Sequence, residues 1–513
     1  MTLKLTRRTA LQGALATTSV LAMPSLVRAA GRPIVTHGVQ SGDIAHDGAV
    51  IWSRADREAR MVVEWATTDD FTDAHRVQPL DLGAPTDLSG KLALTGLPSD
   101  QDIHYRVTML DLVDLNAASE PVVGRFRTAP HAARDIRFVW SGDTAGQGWG
   151  IDTDRGGMKT YATMARHQPD FMIHSGDTIY ADGPLQPTVE LADGTVWTNV
   201  MIDAKAKVAE TLDEFRGQYL YNLMDDNVRA FNAAVPVLAQ WDDHEVTNNW
   251  YPSEDLAADD RYSVKSADLL AARAARAFHE MMPTRQSQEE PNRIYRKVAY
   301  GPMLDIFFLD LRTYRGPNTA NTEADGAPFL GAEQLAWLKR ELASSNALWK
   351  VIASDMPIGM MVRDGDAAME NGANGDGPPL GREQDIAQVL SFIKHGGIAN
   401  TVWLTADVHY TAAHHYSPER AQFQDFEPFW EFVSGPLHAG TFGPSTYDDT
   451  FGPEVRFARH PSEAQGRNLP PSMGLQFFGL VDIAADTGVM TVRLMDVEDV
   501  ELWSVELDPA RPA

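Results

Sequence analysis

The chain has 513 residues, a formal charge of −27 and no cysteine. Without cysteine it can hold no disulfide, thiolate nucleophile, Cys-ligated zinc or iron–sulfur cluster. The acidic balance repels nucleic-acid backbones and anionic membranes at long range. Hydrophobic residues make up 43% and charged residues 22%, ordinary globular values for a chain long enough to hold several domains of about 100–200 residues.

Residues 1–30 read as an address. Arg7-Arg8 precedes an Ala- and Leu-rich run from Ala10 to Val27, broken by Gly13 and Pro24 and followed by the small Ala29 and Ala30. That is the layout of a twin-arginine signal peptide. Gln12, Thr17, Thr18 and Ser19 make the run a poor membrane span. The expectation is export by the twin-arginine machinery to the periplasm or outside. No integral membrane segment is expected once the signal is removed.

Residues 31–130 carry short runs rich in β-branched and aromatic residues, at Ala49–Trp52, Met61–Trp65, His104–Val107 and Gly124–Arg127. Turn residues separate them, which predicts a small all-β sandwich of immunoglobulin or fibronectin type. Thr128-Ala129-Pro130 marks its end. Residues 131–513 change character. Strand-like runs at Ile136–Trp140, Phe171–His174, Val235–Leu238, Leu304–Leu309, Trp349–Ile352 and Thr401–Leu404 are interspersed with helical stretches. The helices are expected at Gly157–His167, Gly331–Ser344 and Gly381–His395, and Phe477–Val505 returns to strands. Such alternation predicts an α/β or mixed layered domain. Asp364–Gly377 is rich in Gly, Asp and Asn, and reads as a long loop of the functional or mobile kind.

In layered α/β folds ligands bind beyond the carboxyl ends of strands. Five strand ends here carry metal-capable side chains. They are Ser141-Gly142-Asp143, Ser175-Gly176-Asp177-Thr178-Ile179-Tyr180, and Trp241-Asp242-Asp243-His244-Glu245 with Asn248 and Asn249 close behind. Ser354-Asp355-Met356-Pro357 and Ala406-Asp407-Val408-His409-Tyr410 complete the set. One Asp after a strand is an ordinary turn former or helix cap. Five ends in order on the same frame point to a metal site. A phosphate ester resists attack because ester and nucleophile are both anions. Paired cations neutralise that charge and acidify a water. Carboxylates suit hard cations, and imidazole and phenolate extend the choice to iron or zinc. A His left unliganded beside them can donate to a phosphoryl oxygen or to the leaving group.

Further stretches stand out: Thr36-His37-Gly38-Val39-Gln40-Ser41-Gly42-Asp43, Trp52-Ser53-Arg54, Phe308 to Arg315 and, above all, Trp241 to Trp250. With these motifs the chain, from about Val35 onward, resembles the alkaline phosphatase D family. That family lies in the calcineurin-like metallophosphoesterase superfamily, with the purple acid phosphatases. The resemblance implies an α/β layered core of two mixed β-sheets flanked by helices, preceded by the β-sandwich. It implies Asp143, Asp177, Tyr180 and His409 as ligands of a first metal, with Asp177 bridging. Asp243, Asp355 and Asp407 would form a second, carboxylate-rich site. His244 would contact phosphate. Asn248 reads equally as a phosphoryl donor and as a structural residue. Arg312, with Arg315, reads equally as a bidentate phosphate clamp and as a surface residue or partner of Asp310. The cysteine ligand of the best-known members falls on Gly142, with Asp143 as its substitute.

The phenolate favours Fe3+ and the oxygen-rich second site Ca2+, with Mn2+, Mg2+ or Zn2+ as alternatives. The implied activity is hydrolysis of small-molecule phosphate esters by a metal-activated hydroxide, as an alkaline phosphatase or phosphodiesterase. Two alternatives use the same residues: a phospholipase D-type diesterase acting on phospholipids, and a non-enzymatic periplasmic metal-binding module. No nucleic-acid binding is expected.

Overall fold

The strand Ile136–Ser141 shows how the sequence builds the core. Its side chains alternate between two apolar surroundings, Phe138 and Trp140 in one buried cluster and Val139 in another. Strands of a parallel sheet covered on both faces read as continuous apolar runs for this reason. Phe171–Ser175 repeats the pattern with Ile173 against Met172, and Val237–Gln240 with Leu238 against Ala239. These three strands pair in parallel, with Ile173 opposite both Trp140 and Leu238. They head a six-stranded sheet completed by the antiparallel strands Phe477–Ile483, Met490–Asp496 and Glu501–Leu507. The structure, a computed structural model, describes residues 31–510; the expected signal peptide lies outside the described residues.

A second, seven-stranded sheet is built around the parallel strands Leu304–Phe308, Trp349–Ala353, Thr401–Thr405 and Phe429–Val433. Antiparallel strands Arg296–Ala299, Thr411–Tyr416 and Pro453–Arg459 complete it, so both sheets are mixed. Here Ile306, Phe308, Val351 and Leu404 enter the cluster that also holds Phe138 and Trp140. Phe307, Ile352 and Trp403 face the opposite way. Trp140 joins the two sheets directly. Its ring meets Phe432 edge-on at 6.5 Å, and its indole N–H donates to the Thr405 carbonyl at 3.3 Å. Helices Lys159–Arg166, Leu212–Asn222, Asp226–Ala234 and Ala267–Met281 contribute Tyr161, Phe215, Phe231 and Phe278 to the cluster around Val139. Helices Ala332–Ser344 and Glu383–His395 contribute Leu338 and Val389 to the cluster around Trp403.

The N-terminal part is β-rich. A three-stranded sheet of Val35–Gly42, Gly48–Ala55 and Ser89–Thr95 accompanies a five-stranded one around Ala59–Ala66, Asp102–Asp111 and Val122–Arg127. Ile51, Val63, Tyr105 and Val107 from these sheets lie in the cluster that holds Trp140. Polar ties fasten this part to the rest. Arg296 donates to Asp43 at 2.7 Å, Trp52 donates to the Glu280 carbonyl at 2.9 Å, and Lys91 donates to the Thr284 carbonyl at 2.8 Å.

The strand expected at Val235–Leu238 is instead Val237–Gln240. Val235 caps the preceding helix, and Pro236 has no N–H for a ladder. Among the described residues no helix is long and apolar enough to cross a membrane.

The central contact can be tested at Gly479, on the strand paired to Trp140. A Cβ there would lie 1.8 Å from a Trp140 ring carbon. Gly479→Ala is expected to lower stability by about 1–3 kcal/mol through overpacking, seen as an earlier midpoint in urea unfolding. An unchanged midpoint would show that Trp140 is free to move.

Candidate active site

Parallel pairing brings the carboxyl ends of the Ile136, Phe171 and Val237 strands together, and their turns pack with no space between. A Cβ at Gly142 would lie 2.9 Å from the Ala406 Cβ, and one at Gly176 would lie 2.6 Å from the Asp242 Cβ. A cysteine at position 142 would therefore collide with Ala406; the carboxylate comes from Asp143, one residue on. The turns carry backbone strain as well. Asp143, Asp177, Asp407 and His409 adopt positive φ of 67°, 49°, 66° and 58°. Asp, Asn and His are the non-glycine residues that tolerate this left-handed region best. Strain of this kind persists only where surrounding structure enforces it.

The result is three linked groups of ligand atoms, each group lying within 4.8 Å. Asp143, Asp177 and His409 form the first, Asp177, Asp243 and His244 the second, and Asp242, Asp243 and Asp407 the third. Asp177 and Asp243 each belong to two groups. Asp143 to Asp243 come from the six-stranded sheet, and Asp407 and His409 from the seven-stranded one.

Neighbouring bonds orient the two histidines. His409 Nδ1 must donate to the Gly440 carbonyl, because a carbonyl only accepts. That leaves the Nε2 lone pair facing inward, 2.7 Å from the Tyr180 hydroxyl and 3.6 Å from Asp143 Oδ1. Burial lowers the His409 pKa to about 4, so the ring is neutral. A buried neutral imidazole whose far nitrogen is tied to a carbonyl is the usual state of a metal ligand. His244 is the opposite case. Burial opposes its protonation, but Asp182 and Asp243 outweigh burial and hold its pKa up to about 10. Its Nδ1 donates to Asp182 Oδ1 at 2.7 Å, leaving Nε2 for the cavity. The other Asp182 oxygen accepts from the Asn248 backbone at 2.9 Å.

Two further acids hold the turns. Glu245 accepts from the backbone N–H of Asp177, Thr178 and Asp242, at 3.2, 2.6 and 2.8 Å. Glu370 reaches in from the loop after the hairpin Arg363–Asp364 and Ala368–Met369. That loop is tied down. Arg382 donates to the carbonyls of Asn371 and Met369, and Asp364 accepts from Asn249 Nδ2 at 3.0 Å.

The balance of charge calls for cations. Burial, then Asp242, pushes the Asp143 carboxyl well above the usual carboxylate range; burial, then Asp243, does the same to Asp177. Burial raises Asp407 as well, with Glu370 adding to it. Both carboxyl oxygens of Asp143, and Oδ1 of Asp243, are buried without a hydrogen-bond partner. Orphaned carboxylate oxygens beside an inward imidazole lone pair and a phenol fit hard or borderline metal ions.

A cavity of about 350 Å³ opens over these groups, lined by Asp177, Asp243, His244, Asn248, Asp407 and His409 among others. The PhoD-like phosphatase family model matches residues 138–494, and the model for its N-terminal domain matches residues 20–130. The chain belongs to the PhoD-like phosphatase family. It is a phosphoric ester hydrolase. Alkaline phosphatase D of Bacillus subtilis (strain 168) is 28% identical over 443 residues, covering 81% of this chain and 71% of that protein. The solved structure of PhoD superposes with a TM-score of 0.68 at 22% identity, over 93% of this chain and 90% of its own. Purple acid phosphatase PPD1 from yellow lupin (Lupinus luteus) seeds gives 0.55 at 12% identity, over 93% and 74%. At those identities the two structures speak for the fold.

Of the residues expected from sequence in this PhoD-like chain, Asp143, Asp177, Asp243, Asp407, His409 and His244 fall in the three ligand groups. Tyr180 adjoins the first group through His409. Asn248 is on the cavity wall. Asp355 is fully buried and belongs to none of the groups; its Oδ2 lies 3.8 Å from Arg312 Nε.

Arg312 departs from each role expected of it, clamp, surface residue or Asp310 partner. It is wholly buried behind the acids, donating to Asp242 at 2.7 Å and to Glu370 at 2.5 Å. Asp310 accepts from its backbone N–H, not its guanidinium, and from the Trp241 indole. Arg312 is an internal counter-ion, with no access to a substrate. Sequence reading had not assigned Asp242, Asp182, Glu245 or Glu370. Asp182 could have been suspected, since it follows Tyr180 by two residues and a donor His needs an orienting partner.

Arg312→Met is expected to destabilise the chain by about 3–5 kcal/mol, since it strands buried carboxylates; denaturant unfolding measures it. A substrate clamp would instead leave stability unchanged and raise KM.

Proposed function

We propose that this chain is an exported, metal-dependent alkaline phosphatase or phosphodiesterase acting on small-molecule phosphate esters. The observation that carries the reading is Asp177: its carboxylate belongs to two ligand groups, beside a histidine whose charge Asp182 maintains.

Asp143, Asp177, Tyr180 and His409 would hold one metal, and Asp243 with Asp407 and Asp242 a second, Asp177 bridging. In this reading Asp242 joins the second set through Asp243 and Asp407, and Asp355, outside those groups but with both carboxyl oxygens unpartnered, borders Asp242. The phenol and imidazole favour Fe3+ at the first position, and the all-oxygen set favours Ca2+ at the second, with Mn2+, Mg2+ or Zn2+ as alternatives. Metals bound there supply the positive charge that an anionic ester needs and lower the pKa of water.

The chain's own groups do the rest. His244, charged and fixed by Asp182, offers its Nε2 proton to a phosphoryl or leaving-group oxygen. Asn248 stands beside it to donate a second hydrogen bond. Gly440 holds the His409 tautomer, so that Nε2 stays a lone-pair donor.

The proposal extends to organisation. Residues 1–30 serve as the twin-arginine signal, 31–130 as a β-sandwich and 131–513 as a catalytic domain of two facing sheets with helices outside. The site of action is the periplasm or the exterior.

Elemental analysis with rates on a chromogenic monoester and diester tests the reading. Asp177→Ala is expected to lose metal and both activities together. His244→Asn is expected to retain metal while kcat falls about 10²–10⁴-fold. Failure of the wild type, reconstituted with each metal, to hydrolyse either ester would sink the proposal and leave a binding module.

A further inference from the structure

The floor of the cavity is acidic, but its mouth carries two arginines, Arg363 and Arg467. Both are exposed, and neither guanidinium makes a hydrogen bond or ion pair among the described residues. Other exposed arginines, Arg76, Arg125 and Arg459 among them, also lack such a partner among the described residues. What sets Arg363 and Arg467 apart is that both line the cavity over the acidic groups.

Each is set in place by its surroundings. Arg363 opens the hairpin Arg363–Asp364 with Ala368–Met369. The adjacent Asp364 accepts from Asn249 at 3.0 Å and from Asn318 at 2.9 Å, which pins that residue beside the Asn248 wall. Arg467 lies over the Phe442 ring at 5.6 Å, and Phe442 meets the His409 ring edge-on at 5.3 Å. One aromatic ring thus separates a rim arginine from an inward-facing imidazole. A cation over a ring face keeps its outer N–H groups for an anion.

We propose that Arg363 and Arg467 form a cationic rim that binds a second anionic group, carboxylate or phosphate, on the leaving-group side of the substrate. The inference rests on the phosphatase reading and narrows its substrate class to phosphate esters with a further negative charge. The scissile phosphoryl group is served by the floor, where His244 and the ligand groups lie. A guanidinium fork matches the two oxygens of a carboxylate or phosphate. The rim also provides a local attraction on a molecule whose overall charge repels anions.

Binding separates this role from simple attraction of the reacting phosphate. Calorimetry on the metal-loaded protein would compare propylphosphonate with phosphonopropionate, its longer homologues and the matching alkylene bisphosphonates. None of these can be hydrolysed. The wild type is expected to prefer the probes with two anionic ends. Arg363→Gln and Arg467→Gln are each expected to weaken those probes about tenfold, as loss of a hydrogen bond to a charged group does. Propylphosphonate should stay within about twofold, the scale of a weak exposed charge effect. Equal weakening of both kinds of probe, or no weakening of either, would overturn the proposal. The same variants should leave KM for p-nitrophenyl phosphate nearly unchanged. If the binding preference appears but the wild type turns over no ester, the rim stands and the hydrolase reading falls.

Discussion

The constraint behind this structure is the burial of many carboxylates in one small volume. Ionised carboxylates in a low-dielectric interior are unfavourable by several kcal/mol each unless paired. The surrounding residues each answer part of that demand. Arg312 sits wholly inside and neutralises Asp242 and Glu370. Glu245 uses its lone pairs on three backbone N–H groups of the turns. Asp182 and Asp243 keep His244 charged against the pull of burial. What these leave unanswered falls on Asp143 and Asp355, neither of whose carboxyl oxygens has a hydrogen-bond partner, and on one oxygen each of Asp242 and Asp243. At Asp143 that shortfall of positive charge lies beside the inward face of His409, 3.6 Å away.

The same crowding explains the backbone. Turns that pack against one another at Gly142 and Gly176 have no room for side chains, and the next residue in each must turn sharply to aim its carboxylate inward. Asp143 and Asp177 accept positive φ to do so. Gly435 meets the same limit from the other sheet, since a Cβ there would lie 2.1 Å from Asp143 Oδ2. Small residues around the site are thus the condition for acids to approach one another, and the strained acids are held by both sheets at once.

Much of this was legible in the sequence because it is periodic or punctuated. The apolar strands were readable from their continuous runs, and the acids from their place just past them. The helices Leu212–Asn222 and Asp226–Ala234 were not read, although Thr211 and Glu214 form a capping box and Asp225 caps the second helix. Arg216, Gln218 and Asn222 are buried on the first of these helices, which blurs the apolar stripe that periodicity detects. Asp242 and Asp243 are adjacent, and sequence gives no sign of which turns toward Arg312 and which toward His244. Glu370 lies in a loop whose composition reads as functional or mobile; what holds it is a set of long-range bonds from Arg382 that no local pattern reveals. Arg312 could be read as a cation, but its burial depends on acids from distant segments.

The site is divided between two sheets, and that division sets an order of events. Tyr180 and His409 are 229 positions apart in the chain, yet their polar atoms are 2.7 Å apart. Neither sheet alone assembles the first ligand group, so a growing or half-folded chain offers separate acids in place of a chelating centre. High-affinity capture of an ion has to await the docking of one sheet on the other through Trp140. An ion held there would act as a clasp across the seam, drawing its hold from the native state and giving none to the unfolded one. Metal occupancy in such a molecule would then report that the two sheets have docked.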